Sequence, residues 1–121
     1  MTRRKEKTQA DIVRLFAESA SRHHRALLAG DHRKANREAK AMFSAFEELK
    51  LMGDEGREAL LPLLGSEDEA VVSSAAAVLL RYATDAATTA LERVARNKGL
   101  LGFRAQQALQ RWRKGDWHLD E

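Results

Sequence analysis

Apolar residues recur every three or four positions along most of the chain, a spacing typical of amphipathic helices. In the first half, this pattern predicts two long helices that meet at Gly30 and Asp31, where a glycine ends the first helix and an aspartate caps the second. The apolar faces of the two helices carry Val13, Phe16, Ala20 and Leu27, and then Ala35, Ala39, Met42, Phe46 and Leu49. Because the connection is short, we expect a long helical hairpin over residues 8–52.

Four shorter helices are predicted after Gly53, over residues 54–64, 68–83, 84–97 and 100–114. Pro62 is expected to kink the first of them or to confine regular hydrogen bonding to its later half, because a proline in a helix lacks the N–H group and its ring is a steric obstacle. The helix over 68–83 is apolar almost all round, which predicts that it is the central and most buried one. No stretch alternates apolar and polar residues over a sustained length, so the pattern indicates an all-α fold.

Part of the second half repeats along the chain. At a shift of thirty residues, the apolar positions that correspond are Val71, Ala75, Val78 and Leu79 with Leu101, Ala105, Ala108 and Leu109. At thirty-one, they are Ala59, Leu60, Leu63 and Leu64 with Ala90, Leu91, Val94 and Ala95. Two such helix pairs predict stacked repeats, each covering the apolar face of its neighbour. The alternative is an ordinary alanine- and leucine-rich bundle, in which similar coincidences arise.

Residues 66–79, SEDEAVVSSAAAVL, resemble the HEAT-repeat consensus of an acidic turn followed by a helix with a valine, an arginine, an alanine pair and a leucine. They are also similar to the shorter HEAT-like repeats of phycobilisome lyases. Ser66 stands in place of the usual turn aspartate, and Val72 and Gly102 stand in place of the usual arginine. The resemblance covers residues 55–114 and implies a short right-handed α-solenoid of about six helices in antiparallel pairs.

With its preceding hairpin, the whole chain resembles the small bacterial HEAT- or armadillo-like families with no assigned function, which implies a protein-binding scaffold. We expect a single domain over residues 1–121, since this length supports one core. Its parts would be a flexible basic N-terminus (1–7), the hairpin (8–52), two HEAT-like helix pairs (55–114) and a C-terminal tail (115–121).

The composition narrows the chemistry and the compartment. The chain has no cysteine, which excludes disulfides and thiolate chemistry. Five of its first seven residues are charged and no unbroken apolar run follows them, so we expect a cytoplasmic protein without a membrane partner. The adjacent carboxylates at Glu47 and Glu48, and those from Glu67 to Glu69, are explained by capping and solubility rather than by acid–base catalysis. We therefore expect neither an enzyme nor a cofactor, and an enzyme resembling solenoid DNA glycosylases or lyases is disfavoured.

Three histidines lie near the predicted hairpin turn, but their spacing does not predict a metal site. His23, His24 and His32 flank Gly30 and Asp31, and no further ligand stands at a metal-binding spacing. We interpret His23 as a residue at the edge of the core. His24 would be a cation favoured by the helix dipole.

Charge is unevenly distributed along the chain. The net charge is +5 over residues 1–50, −5 over 51–90 and +3 over 91–121. Such polarity suits a partner with a complementary pattern. On the second helix, Arg33, Arg37 and Lys40 lie opposite the apolar face and could contact an anionic partner, although a basic outer face is commonly just solvated.

The predicted function is a noncatalytic protein–protein interaction module. Its binding surface would use Arg104, Gln107 and Arg111 of the sixth helix together with Ser73, Ser74 and Arg81 of the fourth. Trp117 follows the Gly115 stop and would either seal the last repeat or anchor a partner. The alternative is a nucleic-acid-binding HEAT-like protein that uses its basic helical faces. The oligomeric state stays open.

Overall fold

The computed structural model describes residues 7–120. Over this range the chain forms six α-helices and one short 3-10 helix, and no strand occurs between residues 7 and 120. The α-helices are α1 (Gln9–Leu28), α2 (His32–Leu51), α3 (Asp54–Glu58), α4 (Glu69–Leu79), α5 (Thr84–Ala95) and α6 (Leu100–Arg113), and the 3-10 helix is Leu61–Gly65. The all-α prediction is confirmed. The predicted flexible N-terminus lies, apart from residue 7, outside the described residues.

Helices α1 and α2 pack against each other along their lengths, as the hairpin prediction requires. Their boundaries follow from capping. The Thr8 hydroxyl accepts a hydrogen bond from the Asp11 amide, and the Asp11 carboxylate accepts one from the Thr8 amide, which together form a capping box. Asp31 caps α2 by accepting from the Lys34 amide at 3.1 Å. Gly30 has a φ of +71°, a conformation that favours glycine over residues with a side chain.

The segment after α2 differs from the expected single kinked helix over 54–64. Instead, α3 ends at Glu58, and a separate 3-10 helix begins at Leu61 with Pro62 in its first turn. Proline fits there because the first residues of a helix have no internal partner for their N–H groups. The proline therefore separates two short elements, where a bent continuous helix had been expected.

Helix α4 is the centre of the core, in agreement with its nearly all-apolar pattern. Seven of its eleven residues are buried, and it contacts α1, the 3-10 helix, α5 and α6. Asp68 caps it by accepting from the Ala70 amide at 3.0 Å. It ends at Leu79, four residues earlier than predicted, and Leu80 to Ala83 form the turn into α5. Thr84, the first residue of the helix predicted over 84–97, does not cap α5: its hydroxyl donates to the Leu80 carbonyl.

One continuous core joins the hairpin to the later helices. The repeat positions Ala75 and Ala105 are both fully buried, and Leu79 and Leu109 are buried with them. Small side chains at such positions let helices approach closely. Within residues 7–120, no helix is both long enough and apolar enough to cross a membrane.

The C-terminal tail folds back onto the helices rather than extending into solvent. Trp117 is 6% exposed, and its indole N–H donates to the Ala77 carbonyl at 3.2 Å. The buried carboxylate of Asp120 accepts from the Arg81 amide at 2.8 Å and from Arg81 Nε at 3.0 Å. The Arg81 guanidinium also donates to the Trp117 carbonyl. Residues 115–120 are thus part of the folded body. They are bound to it by the hydrogen bonds of Arg81 and by that of the Trp117 indole.

We expect Asp120→Ala to lower the free energy of unfolding by about 2 kcal/mol, because it removes two charge-assisted hydrogen bonds from a buried carboxylate. Urea unfolding followed by tryptophan fluorescence measures the change. The matched control is Asp116→Ala, since the Asp116 carboxylate is exposed and lies 3.8 Å from Arg111. The control should change the free energy by less than about 0.5 kcal/mol. Equal effects of the two substitutions would contradict this account of the tail.

Candidate partner-binding cleft

A cleft of about 380 Å³ lies where α1, α2, α4, α6 and the tail meet. We call it the hairpin cleft, because α1 and α2 form one side of it. Its apolar walls come from α2, α6 and the tail: Met42, Phe43, Leu101, Phe103, Trp117 and Leu119. Phe103 is 57% exposed and Leu119 is 40% exposed, although both are large apolar residues. Exposed apolar side chains gathered at one concave site are typical of a binding surface.

Polar groups gather in the same cleft from α4 and α6. Ser73 and Ser74 face it from α4, and Arg104, Gln107 and Arg111 face it from α6. Arg111 lies 3.8 Å from Asp116, with its guanidinium 5.7 Å from the centre of the Trp117 ring. Arg104, by contrast, makes no hydrogen bond or ion pair with any described residue. The cleft therefore contains a guanidinium without a partner among residues 7–120.

The two histidines of α1 border the cleft beside Arg104. Burial, followed by the positive charge of Arg104, lowers the pKa of both His23 and His24 below its ordinary value. His24 Nδ1 is buried and has no hydrogen-bond partner within the described chain. The sequence-based interpretation of His24 as a helix-end cation is therefore wrong. A half-buried imidazole next to a guanidinium is disfavoured in its charged form.

Arg104 lines the cleft as an exposed side chain, although protein atoms around it remove part of its hydration. Burial lowers the pKa of its guanidinium from the usual value, yet arginine stays protonated at neutral pH. The carboxylates whose charges reach the two histidines are Glu38, which acts on His23, and Asp68, which acts on His24. Neither residue lines the cleft, and no aspartate or glutamate in the described part of the chain does. The lining is therefore electropositive.

The structure brings together most of the residues that the sequence proposed for partner binding. Arg104, Gln107, Arg111 and Trp117 all line the hairpin cleft, together with Ser73 and Ser74. Arg81 does not line it, because its side chain binds Asp120 and the Trp117 carbonyl. Trp117 is buried and forms part of the wall, so it both seals the body and borders the cleft.

Sequence reasoning missed the apolar walls and the contribution of α1. Phe103 carried a usable signal, since it lies off the apolar stripe of α6 and a phenylalanine there is expected to be exposed. Met42 and Phe43 gave no such signal, because a helical pattern does not distinguish a core wall from a cleft wall. His23 and His24 were noted only for their position near the hairpin turn.

The proposed basic face of α2 lies apart from the hairpin cleft. Arg33, Arg37 and Lys40 are exposed. Lys40 borders a second, shallower depression that also includes Phe43 and Glu47, and the other two residues line neither cavity. Among residues 7–120, no three histidine, cysteine, aspartate or glutamate side chains are grouped so that they could hold a metal ion.

Comparison with known proteins places the chain in a family. The chain is similar to the crystal structure of protein RPA1889 from Rhodopseudomonas palustris, with a TM-score of 0.86 and 28% sequence identity. The match covers 93% of this chain and 94% of that one. Among curated proteins, no sequence matches the chain. The family described as a domain of unknown function, DUF2019, matches residues 10–110. Because residues 10–110 make up most of the chain, the chain belongs to the DUF2019 family.

Proposed function

We propose that this protein is a noncatalytic protein-binding module that takes a segment of a partner into the hairpin cleft. The observation that carries the proposal is the coincidence, in one concave site, of exposed apolar side chains and polar groups without partners in the described chain. Phe103 and Leu119 offer the apolar contacts, and Arg104 offers the polar one. Protein-binding sites commonly combine aromatic and arginine side chains in this way.

We further propose that the helices after α2 form a short right-handed α-solenoid of HEAT-like antiparallel pairs. Successive packing of α4 on α5 and of α5 on α6 supports this arrangement. Burial of the equivalent positions Ala75 and Ala105 supports it as well. Solenoids bind partners on extended concave surfaces, which suits a cleft between α4, α6 and the hairpin.

The surroundings of the serines and histidines support the noncatalytic role that we propose. Neither Ser73 nor Ser74 makes a hydrogen bond to His23 or His24 within the described residues. Hydrolytic serine–histidine sites need such a bond, and a third group to orient the histidine. The groups that line the cleft therefore favour recognition over nucleophilic catalysis as its role.

The test is affinity capture from a bacterial lysate with the whole protein, followed by mass spectrometry. We expect Gln107→Trp, which fills the cleft, and Arg104→Ala, which removes its unpaired cation, to lose most of the proteins that the wild type retains. The matched control is Arg113→Ala. Arg113 is also an arginine of α6, but it pairs with Glu92 at 3.5 Å and does not line the cleft. This control should retain the same proteins as the wild type.

The same experiment tests nucleic-acid binding, which the exposed Arg33, Arg37 and Lys40 would favour. Under our proposal, nuclease treatment of the lysate leaves the retained proteins unchanged, and so does replacing these three residues by alanine. Retention that depends on nucleic acid and on these three residues, and not on Gln107 or Arg104, would replace protein binding with nucleic-acid binding as the function.

A further inference from the structure

We infer that the hairpin cleft binds an acidic segment of its partner, in which a carboxylate that meets Arg104 is flanked by apolar side chains that pack on Phe103 and Leu119. This inference rests on the proposed function and names the chemistry of the partner segment. It is carried by the charge of the lining, by the hydrogen-bond donors of Arg104 and by the size and apolar lining of the remainder of the cleft.

The charge of the cleft lining is complementary to a carboxylate. Two arginines and two histidines line the cleft, and no acidic residue of the described chain joins them. Of the two arginines, only Arg111 pairs with a carboxylate of the described chain, Asp116 at 3.8 Å, and both side chains of that pair are exposed. A cation that has no protein partner attracts an incoming anion most strongly where neighbouring protein atoms have removed part of its hydration. Water then competes less for the charge.

The guanidinium of Arg104 is exposed, so its N–H donors are accessible to a partner. Arg104 makes no hydrogen bond with any described residue, although a guanidinium carries five N–H donors. Arginine binds carboxylates through two parallel hydrogen bonds, which is the geometry that satisfies such a group best. A carboxylate from the partner would therefore complete this end of the cleft.

The remainder of the cleft is too large and too apolar for a small ion. The cleft has a volume of about 380 Å³, which far exceeds the volume of a carboxylate group. Met42, Phe43 and Leu101 form apolar walls of the cleft. The exposed Phe103 and Leu119 extend these walls to the rim. A peptide segment with one acidic and one or two apolar side chains matches both parts of the cleft at once.

The titration of the histidines gives an independent readout. The pKa of His23 is lowered first by burial and then by Arg104 and His24, and Glu38 opposes the shift; that of His24 is lowered by burial and Arg104, and Asp68 opposes it. A bound carboxylate would oppose both shifts and favour protonation. The complex would then take up protons, so affinity should rise as the pH falls from 7.5 through the range below 6.5.

The test uses two pools of fluorescein-labelled octapeptides and fluorescence anisotropy. One pool is randomised over Asp, Glu, Leu, Phe and Trp, and the other over Lys, Arg, Leu, Phe and Trp. We expect the wild type to bind the acidic pool at least about tenfold more tightly than the basic pool. Arg104→Gln should weaken binding of the acidic pool by about tenfold, and Arg113→Gln by less than about twofold. Circular dichroism verifies that each variant is folded.

Arg104→Glu provides a second test, because it should reverse the preference between the two pools. Equal binding of both pools, or equal effects of Arg104→Gln and Arg113→Gln, would overturn the inference, as would affinity for the acidic pool that does not rise at low pH. Tighter binding of a single-stranded DNA oligonucleotide through Arg104 would also overturn it. If the cleft variants lose lysate proteins but the acidic pool does not bind, this inference fails while protein binding stands. If the cleft variants retain the same lysate proteins as the wild type, both the proposed protein binding and this inference fail.

Discussion

Replacing Phe16 with alanine should lower the free energy of unfolding by about 4 kcal/mol, the largest effect we expect from a single truncation in this chain. Phe16 is 0% exposed, and it lies on α1 in the core that the hairpin shares with α4. Truncation removes the packing contacts of a whole aromatic ring. It leaves a cavity that the surrounding helices fill only partly. Urea unfolding followed by circular dichroism measures the loss.

Phe103→Ala is the matched control for Phe16→Ala, because the same ring is removed from a site that is 57% exposed. Its free energy of unfolding should change by less than about 1 kcal/mol. Since Phe103 lines the hairpin cleft, the same variant should nevertheless retain less partner protein in the capture experiment. Similar losses of stability for the two variants would contradict the assignment of Phe16 to the core and of Phe103 to an exposed wall of the cleft.

Gly102→Ala should destabilise the protein by about 3 kcal/mol, although helix propensity alone favours alanine over glycine by about 1 kcal/mol. Gly102 lies in the first turn of α6, where an added Cβ would overlap the carbonyl oxygen of Asn97. A backbone atom cannot move aside as the end of a flexible side chain can. The start of α6 would have to shift away from the turn that follows α5. Thermal and urea unfolding measure the effect.

Gly65→Ala is the control for the glycine substitution. An added Cβ at Gly65 meets nothing within 4 Å, and this residue has no positive φ. We therefore expect it to be neutral or to stabilise the protein by up to about 1 kcal/mol, through the reduced entropy of the unfolded chain. The close approach at Gly102 would be refuted by a Gly102→Ala variant that is as stable as the wild type.

The glycine in α6 also shows why this chain departs from the pattern it resembles. Gly102 stands where the HEAT consensus that this segment resembles has an arginine, and the structure gives a steric reason for a glycine, because the carbonyl of Asn97 in the α5–α6 turn lies where a Cβ would be. Gly56 occupies a similar place in α3, where an added Cβ would overlap the Leu49 carbonyl. Both glycines permit a short helix to start against the end of the preceding one.

Local chemistry determined most of the secondary structure. Thr8, Asp31 and Asp68 cap helices where the sequence placed them or within one residue, because a capping side chain bonds to amides only two or three residues away. The local structure differed from the expected one at two positions, where a side chain could take either of two local arrangements. Pro62 separated two elements instead of bending one, and the Thr84 hydroxyl bonded backwards to Leu80 instead of capping α5.

The sequence by itself determined six α-helices, a central apolar α4 and a polarised distribution of charge, since each depends on spacing within a few turns or on composition. Only the tertiary structure decided that five separate parts of the chain enclose the hairpin cleft and that Arg81 binds Asp120, thirty-nine residues away. It also decided that His24 is disfavoured as a cation, because burial and, after it, the charge of Arg104 from another helix lower its pKa. Helical periodicity specifies which face of a helix is apolar, whereas the partner of that face depends on how distant helices pack.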